Sequence, residues 1–246
     1  MDSTKKTSTL VGHLAELRKR LIIIFLVNII GAFICFQYMD VLIQYIFNLN
    51  PGMKLIYLTP SELFMVYVKL AFTCAFVLCS PITIYQVWIF IAQGLYVKER
   101  KYVLFSLFFG FFFFIIGVVF GYNIALPTTL KFFMKYSSNL VTATISIDSF
   151  VSFCNAMLLS FGVVFEMPIL VYLLSQIGIL KPAFMKRSHG VLILIIFIIA
   201  AIITPPDVVS QVLLAIPMVI LLELSIGICY MVDKNKKKEK LSNKKA

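Results

Sequence analysis

The feature that most constrains this chain is a succession of long apolar runs, each bounded by a charged or proline-containing turn. About 20 such residues make a helix that crosses a hydrocarbon layer of about 30 Å. Hydrophobic residues are 61% of the 246 and charged ones 13%, with a mean hydropathy of +0.99. That balance excludes an ordinary soluble domain and indicates an all-α polytopic membrane protein. The net charge of +11 does not indicate nucleic acid, because Lys and Arg gather at the ends of the apolar runs and form no single basic face.

Six spans are expected, at about 21–38, 63–85 with an extension to 95, 102–122, 151–176, 190–203 and 208–231. The second run is about 50 Å long as a helix, too long for one crossing and too short for two. Pro81 resolves this, as a kink after which the helix continues beyond the membrane; Tyr85 and Trp88 then fall where an interfacial aromatic belt belongs. The fifth run is only 14 residues, about 21 Å. Between the spans, residues 40–61 turn at Asn50-Pro51-Gly52 and pack on the membrane surface. A short surface helix is expected over 128–136 and a basic loop over 181–189. Residues 1–232 read as one domain and 233–246 as a disordered basic tail.

Six spans put both termini on one side. Eighteen of the 22 Lys and Arg lie on the side of the termini, and Lys54, Lys69, Lys131 and Lys135 lie on the other. The positive-inside rule makes the termini cytoplasmic. Lys69 is placed to snorkel toward the outer surface. The five cysteines lie in or beside apolar runs without a CxxC spacing, so they read as packing residues.

The segment Gly12–Leu21, GHLAELRKRL, is amphipathic and runs into the first span. Leu10, Leu14, Leu17 and Leu21 share one helical stripe, with Glu16 and Arg20 at i, i+4 beside it. Glu16 and Glu99 both sit at cytoplasmic boundaries and could form one acidic site for a guanidinium, which a carboxylate binds through two parallel hydrogen bonds. The alternative is solvated surface charge, with Glu16 paired to Arg20 and Glu99 to Lys98 or Arg100. Glu166 lies inside the fourth span, where a carboxylate must face protein or water; it is either functional or a structural carboxyl beside Pro168. In Thr204-Pro205-Pro206-Asp207, Asp207 is an N-cap candidate for the last helix, and Gln211 can bond another transmembrane helix. Glu223 is a further intramembrane acid. His13 and His189, in boundary segments, read as surface residues. No GxSxG, HExxH, phosphate-binding glycine loop or pair of intramembrane aspartates occurs, so neither an enzyme nor a cofactor is expected.

Read together, these motifs resemble the TatC family, the multispanning subunit of the twin-arginine protein translocase. The resemblance rests on Gly12–Leu21, on Ser80-Pro81 with Tyr85–Phe90 and Gly94-Leu95-Tyr96 leading to Glu99-Arg100, on Gly162 through Pro168, and on Thr204–Asp207 with Ser210-Gln211 and Pro217-Met218. The family commonly has proline where this chain has Gln93. The resemblance implies a thin, concave, glove-like fold in a bacterial cytoplasmic membrane rather than an organellar one. It implies binding of twin-arginine signal peptides and transport of folded proteins driven by the proton-motive force. Glu16 and Glu99 match the signal-binding carboxylates, with Arg18 and Phe90 beside them. Glu166 matches a buried acid facing the concave interior, and Thr204 and Gln211 match the docking positions of small single-span TatA/TatB-type subunits. Self-association in a receptor complex is also implied. The alternative is a proton-coupled secondary transporter of small solutes using Glu166 and Glu223.

Overall fold

The computed structural model describes residues 10–50, 52–92, 100–135, 144–204 and 208–242. Helix α1 (Leu10–Phe36) carries the amphipathic segment and the first span as one rod. Helix α2 (Met39–Phe47) lies beyond it and buries Met39 and Ile46. The turn that follows is built by Asn50, whose side-chain oxygen accepts from the Gly52 and Met53 amides at 3.2 and 2.9 Å. Gly52 has φ +107°, which a side chain would oppose. Strand β1 (Lys54–Ile56) then pairs in parallel with β2 (Thr144–Ser146), Leu55 opposite Ile145. The two extramembrane segments are thus clasped together, a contact that three-residue strands gave no periodicity to foresee.

The long second run is two helices, α3 (Pro60–Leu78) and α4 (Ser80–Ala92), broken at Cys79. Pro81 has no N–H to give the Val77 carbonyl, and the Ser80 hydroxyl donates to that carbonyl instead, at 2.7 Å. The expected break is therefore present. Tyr85 is exposed, as a belt residue should be, but Trp88 is 2% exposed and packs with Ile169 and Leu173. Its helical face turns inward to the protein.

Helix α5 (Arg100–Phe120) passes through a π-helical turn, Gly121–Ala125, directly into α6 (Leu126–Lys135). The expected surface helix is thus a continuation of the span, the π turn absorbing the bond lost at Pro127. Helix α7 (Ile147–Phe165) breaks at Glu166 before α8 (Met167–Gln176), with Pro168 in its first turn. The expected basic loop contains a short helix, α9 (Pro182–Arg187), started by Pro182. Helices α10 (His189–Ile203) and α11 (Val208–Ser242) complete the described chain. The tail expected to be disordered is helical as far as it is described: α11 continues to Ser242, and residues 243–246 lie outside the described residues. Extending an existing helix costs little, Lys237 pairs with Asp233 at 2.7 Å, and Lys236 donates to the Ser175 and Gln176 carbonyls at the end of α8.

Helix α7 is the centre of the core: Val151, Cys154, Met157 and Phe161 are sealed by α3 and α5. Helices α5 and α7 approach backbone to backbone. A Cβ on Gly117 would meet the Phe161 carbonyl oxygen at 2.4 Å, and one on Gly162 would meet the Phe114 ring at 2.8 Å. All five cysteines are free. Five helical stretches among the described residues are long and apolar enough to cross a membrane, and His189–Ile203 is a shorter apolar helix. Large apolar side chains such as Phe33, Phe108 and Ile202 are exposed on their outer faces, as lipid contact requires.

Candidate functional site

The amphipathic stripe of α1 borders an open apolar groove. Leu14, Leu17, Leu21 and Phe25 line a groove of about 890 Å³, completed by Phe72 and Phe76 of α3 and Leu159 of α7. Its polar residues are Arg18 at one end and Asn28 with Thr73 farther along. Asn28 donates to the Ile24 carbonyl at 2.8 Å, and its side-chain oxygen is buried without a partner among the described residues.

Glu16 does not line this groove; it lies on α1 between the lining residues Leu14 and Leu17, one turn from Arg20. The Arg20 guanidinium donates to Glu16 Oε1 at 2.7 Å and, through Nη1, to Gln86 Oε1 of α4 at 2.7 Å. Both carboxylate and guanidinium are about four-fifths covered, at 23% and 19% exposure, so the pair is more than loose surface charge. Gln86 is itself buried. The i, i+4 pairing is legible in the sequence; the only sign of Gln86 there is an amide within an apolar run. Phe90 lies one turn beyond Gln86 on α4 and is half-buried. Arg18 is exposed and borders the groove. The structure thus gathers Glu16, Arg20 and Gln86 where α1 meets α4, while Arg18 faces the groove. Glu99 and Gln93 lie outside the described residues.

Glu166 stands apart, at the break between α7 and α8. A Cβ on Gly110 of α5 would lie 2.9 Å from its Oε2, so the missing side chain is what admits the carboxylate. Its Oε1 is buried and has no hydrogen-bond partner among the described residues. The acid therefore faces α5 across the glycine; Glu166 occupies the cap position between α7 and α8, and its side chain makes no capping bond.

Thr204 and Gln211 meet at the α10–α11 joint. The buried Thr204 hydroxyl donates to the Ala200 carbonyl at 2.9 Å, and Gln211 Nε2 donates to the Phe197 carbonyl at 2.9 Å. Gln211 thus holds a neighbouring apolar helix, and that helix is α10 of its own chain. Asp207 lies outside the described residues. Glu223 and His189 contact each other at 2.5 Å. Across the molecule Lys69 reaches Asp148 at 2.5 Å and Ser152 at 3.1 Å, while Glu62 accepts from Ser146 and from the Leu58 amide, the latter at 2.6 Å. Lys69 thus ends in an ion pair that ties α3 to α7. No group of three or more His, Cys, Asp or Glu among the described residues is placed to hold a metal ion.

Residues 12–217 match the family model described as Sec-independent protein translocase protein (TatC). The Sec-independent protein translocase protein TatC of Helicobacter pylori is 42% identical over 221 residues, 90% of this chain and 87% of that one. Its namesake from Aquifex aeolicus is 36% identical over 234 residues, 93% and 97% of the two chains. A crystal structure of the twin arginine translocase receptor TatC superposes with a TM-score of 0.81 at 36% identity, covering 90% of this chain and 99% of that one. Fold, polar sites and relatives together define a multi-pass helical membrane protein of Sec-independent protein transport. The chain belongs to the TatC family. Its relatives leave the small-solute transporter without support.

Proposed function

We propose that this chain is the receptor subunit of a twin-arginine translocase in a bacterial cytoplasmic membrane. It crosses the bilayer six times with both termini in the cytoplasm, the shorter α10 spanning where the bilayer is thin. The charge distribution, eighteen cations against four, supports that orientation.

The observation that carries the receptor reading is that Glu16, already holding a guanidinium, lies on the same turns of α1 as Leu14 and Leu17, which line an apolar groove. A signal peptide has a basic leading region followed by an apolar stretch of 7–15 residues. The carboxylate suits the first part and the groove lined by Leu14, Leu17 and Phe25 suits the second. An incoming arginine competes with Arg20 for Glu16, and Glu99 supplies the second carboxylate. Phe90 packs beside the bound peptide and Arg18 turns the basic region toward the two acids. Glu166 is the buried acid of the concave interior. The outer face of the α10–α11 joint, fixed by Thr204 and Gln211, receives small single-span subunits of the TatA/TatB type. Several copies of the chain associate in the receptor complex, and transport draws on the proton-motive force without a nucleotide.

Photo-crosslinking in membranes tests this. A photoreactive residue at Leu17 should capture a twin-arginine precursor and fail to capture the twin-lysine version. Equal capture of both, or of neither, contradicts the receptor reading.

A further inference from the structure

Helix α11 carries a face that protein transport leaves unexplained. Ile220, Leu224, Gly227, Met231, Lys234 and Lys238 step by four, three, four, three and four, so they share one stripe. The stripe is apolar as far as Met231 and cationic beyond it. Its apolar part lines a groove of about 600 Å³ that Phe113 of α5 and Pro168 of α8 close from the sides. A Cβ on Gly227 would meet nothing within 4 Å, so the groove is open at its middle. Glu223 borders it with its carboxylate on His189.

Met231 also borders a second recess, of about 460 Å³, with Tyr230, Lys234 and Lys238. There Lys237 is neutralised by Asp233, whereas Lys234 and Lys238 make no ion pair among the described residues. Lys236 is turned away to the carbonyls that end α8, which fixes the rotation of α11 and keeps Lys234 and Lys238 on the groove side. Tyr230 also borders a third recess, which brings in Lys186 of α9.

We infer that this face is a binding site for one anionic phospholipid. An acyl chain lies in the groove against Ile220, Leu224 and Met231. The headgroup phosphate is held by Lys234 and Lys238 at the membrane boundary, with Lys186 on its other side. The occupant is chosen by charge complementarity. A lipid is apolar along its chain and anionic where the chain ends, and basic pockets at helix ends select such headgroups. A partner helix would fill the apolar part but leave the cations unmatched. This inference is independent of how signal peptides are bound.

Native mass spectrometry of the purified full chain tests it, with phosphatidylglycerol and phosphatidylcholine offered at equal concentration. Wild type should retain phosphatidylglycerol over phosphatidylcholine by about tenfold or more. K234Q/K238Q should bring the two near parity, and Gly227→Leu should lower retention of both, neither variant lowering the unfolding midpoint. The inference is overturned if wild type shows no preference or if K234Q/K238Q keeps it. Displacement of the lipid by millimolar inorganic phosphate would reduce the site to an anion site and overturn it also. So would a Gly227→Leu variant that loses a single-span protein partner while its lipid retention is unchanged.

Discussion

The Arg20 guanidinium of α1 reaches the Gln86 amide oxygen of α4 at 2.7 Å while its other nitrogens stay on Glu16. One cation therefore joins the amphipathic end of the first helix to the far side of the Pro81 break. Gln86→Leu removes a hydrogen bond to a charged group in a mostly covered place, and about 1–2 kcal/mol of stability should go with it. Gln86→Glu should keep the link. Unfolding midpoints in detergent measure both; an unchanged midpoint for Gln86→Leu would show that the contact does not bear on stability.

Close packing of α5 on α7 predicts a contrast between two glycines. Gly117→Ala drives a methyl into the Phe161 carbonyl, and backbone cannot give way as a side chain tip does. A loss of about 1–3 kcal/mol is expected. Gly227→Ala meets open space within a helix, and should be neutral or stabilising by up to about 1 kcal/mol. The same midpoints compare them, and equal shifts would contradict the packing.

Lys69 and Asp148 form a partly exposed pair between α3 and α7, at 39% and 35% exposure. A double-mutant cycle on Lys69→Met and Asp148→Leu should give a coupling of about 1 kcal/mol or less, shrinking as salt is raised. A large, salt-independent coupling would mean the pair is far better shielded than its exposure indicates.

At the α10–α11 joint, Gln211→Leu should cost about 0.6 kcal/mol, the average for a hydrogen bond between membrane helices. If the joint's outer face receives single-span subunits, their co-purification should fall more than signal-peptide binding does. The reverse order would place the docking face elsewhere.

The apolar runs were legible because hydropathy and length are local properties. The break before Pro81 follows from the same logic, since the missing donor is in the sequence itself. Glu16 with Arg20 was legible too, as neighbours on one helical face. What sequence did not reveal needs a partner far along the chain. Gln86 lies 66 residues from Arg20, and β1 lies about 90 residues from its three-residue partner β2. Trp88 looked interfacial because its depth was readable and its facing was not. The helical extension was hidden by composition: the lysines of 234–240 read as disordered alone but are helical once α11 carries them past α8. Gly110 gave no hint of Glu166, for a glycine in a Phe-rich run shows its purpose only when the opposing carboxylate is in view.

The most direct test is binding of a labelled twin-arginine signal peptide to the purified chain, followed by fluorescence anisotropy. Wild type should bind it, and Glu16→Gln and Glu99→Gln should each weaken binding by about tenfold or more while leaving the protein folded, as removal of a guanidinium's carboxylate partner requires. A twin-lysine peptide should bind wild type as weakly as the twin-arginine peptide binds those variants. Wild-type affinity in both variants, or equal affinity for the two peptides, would contradict the account.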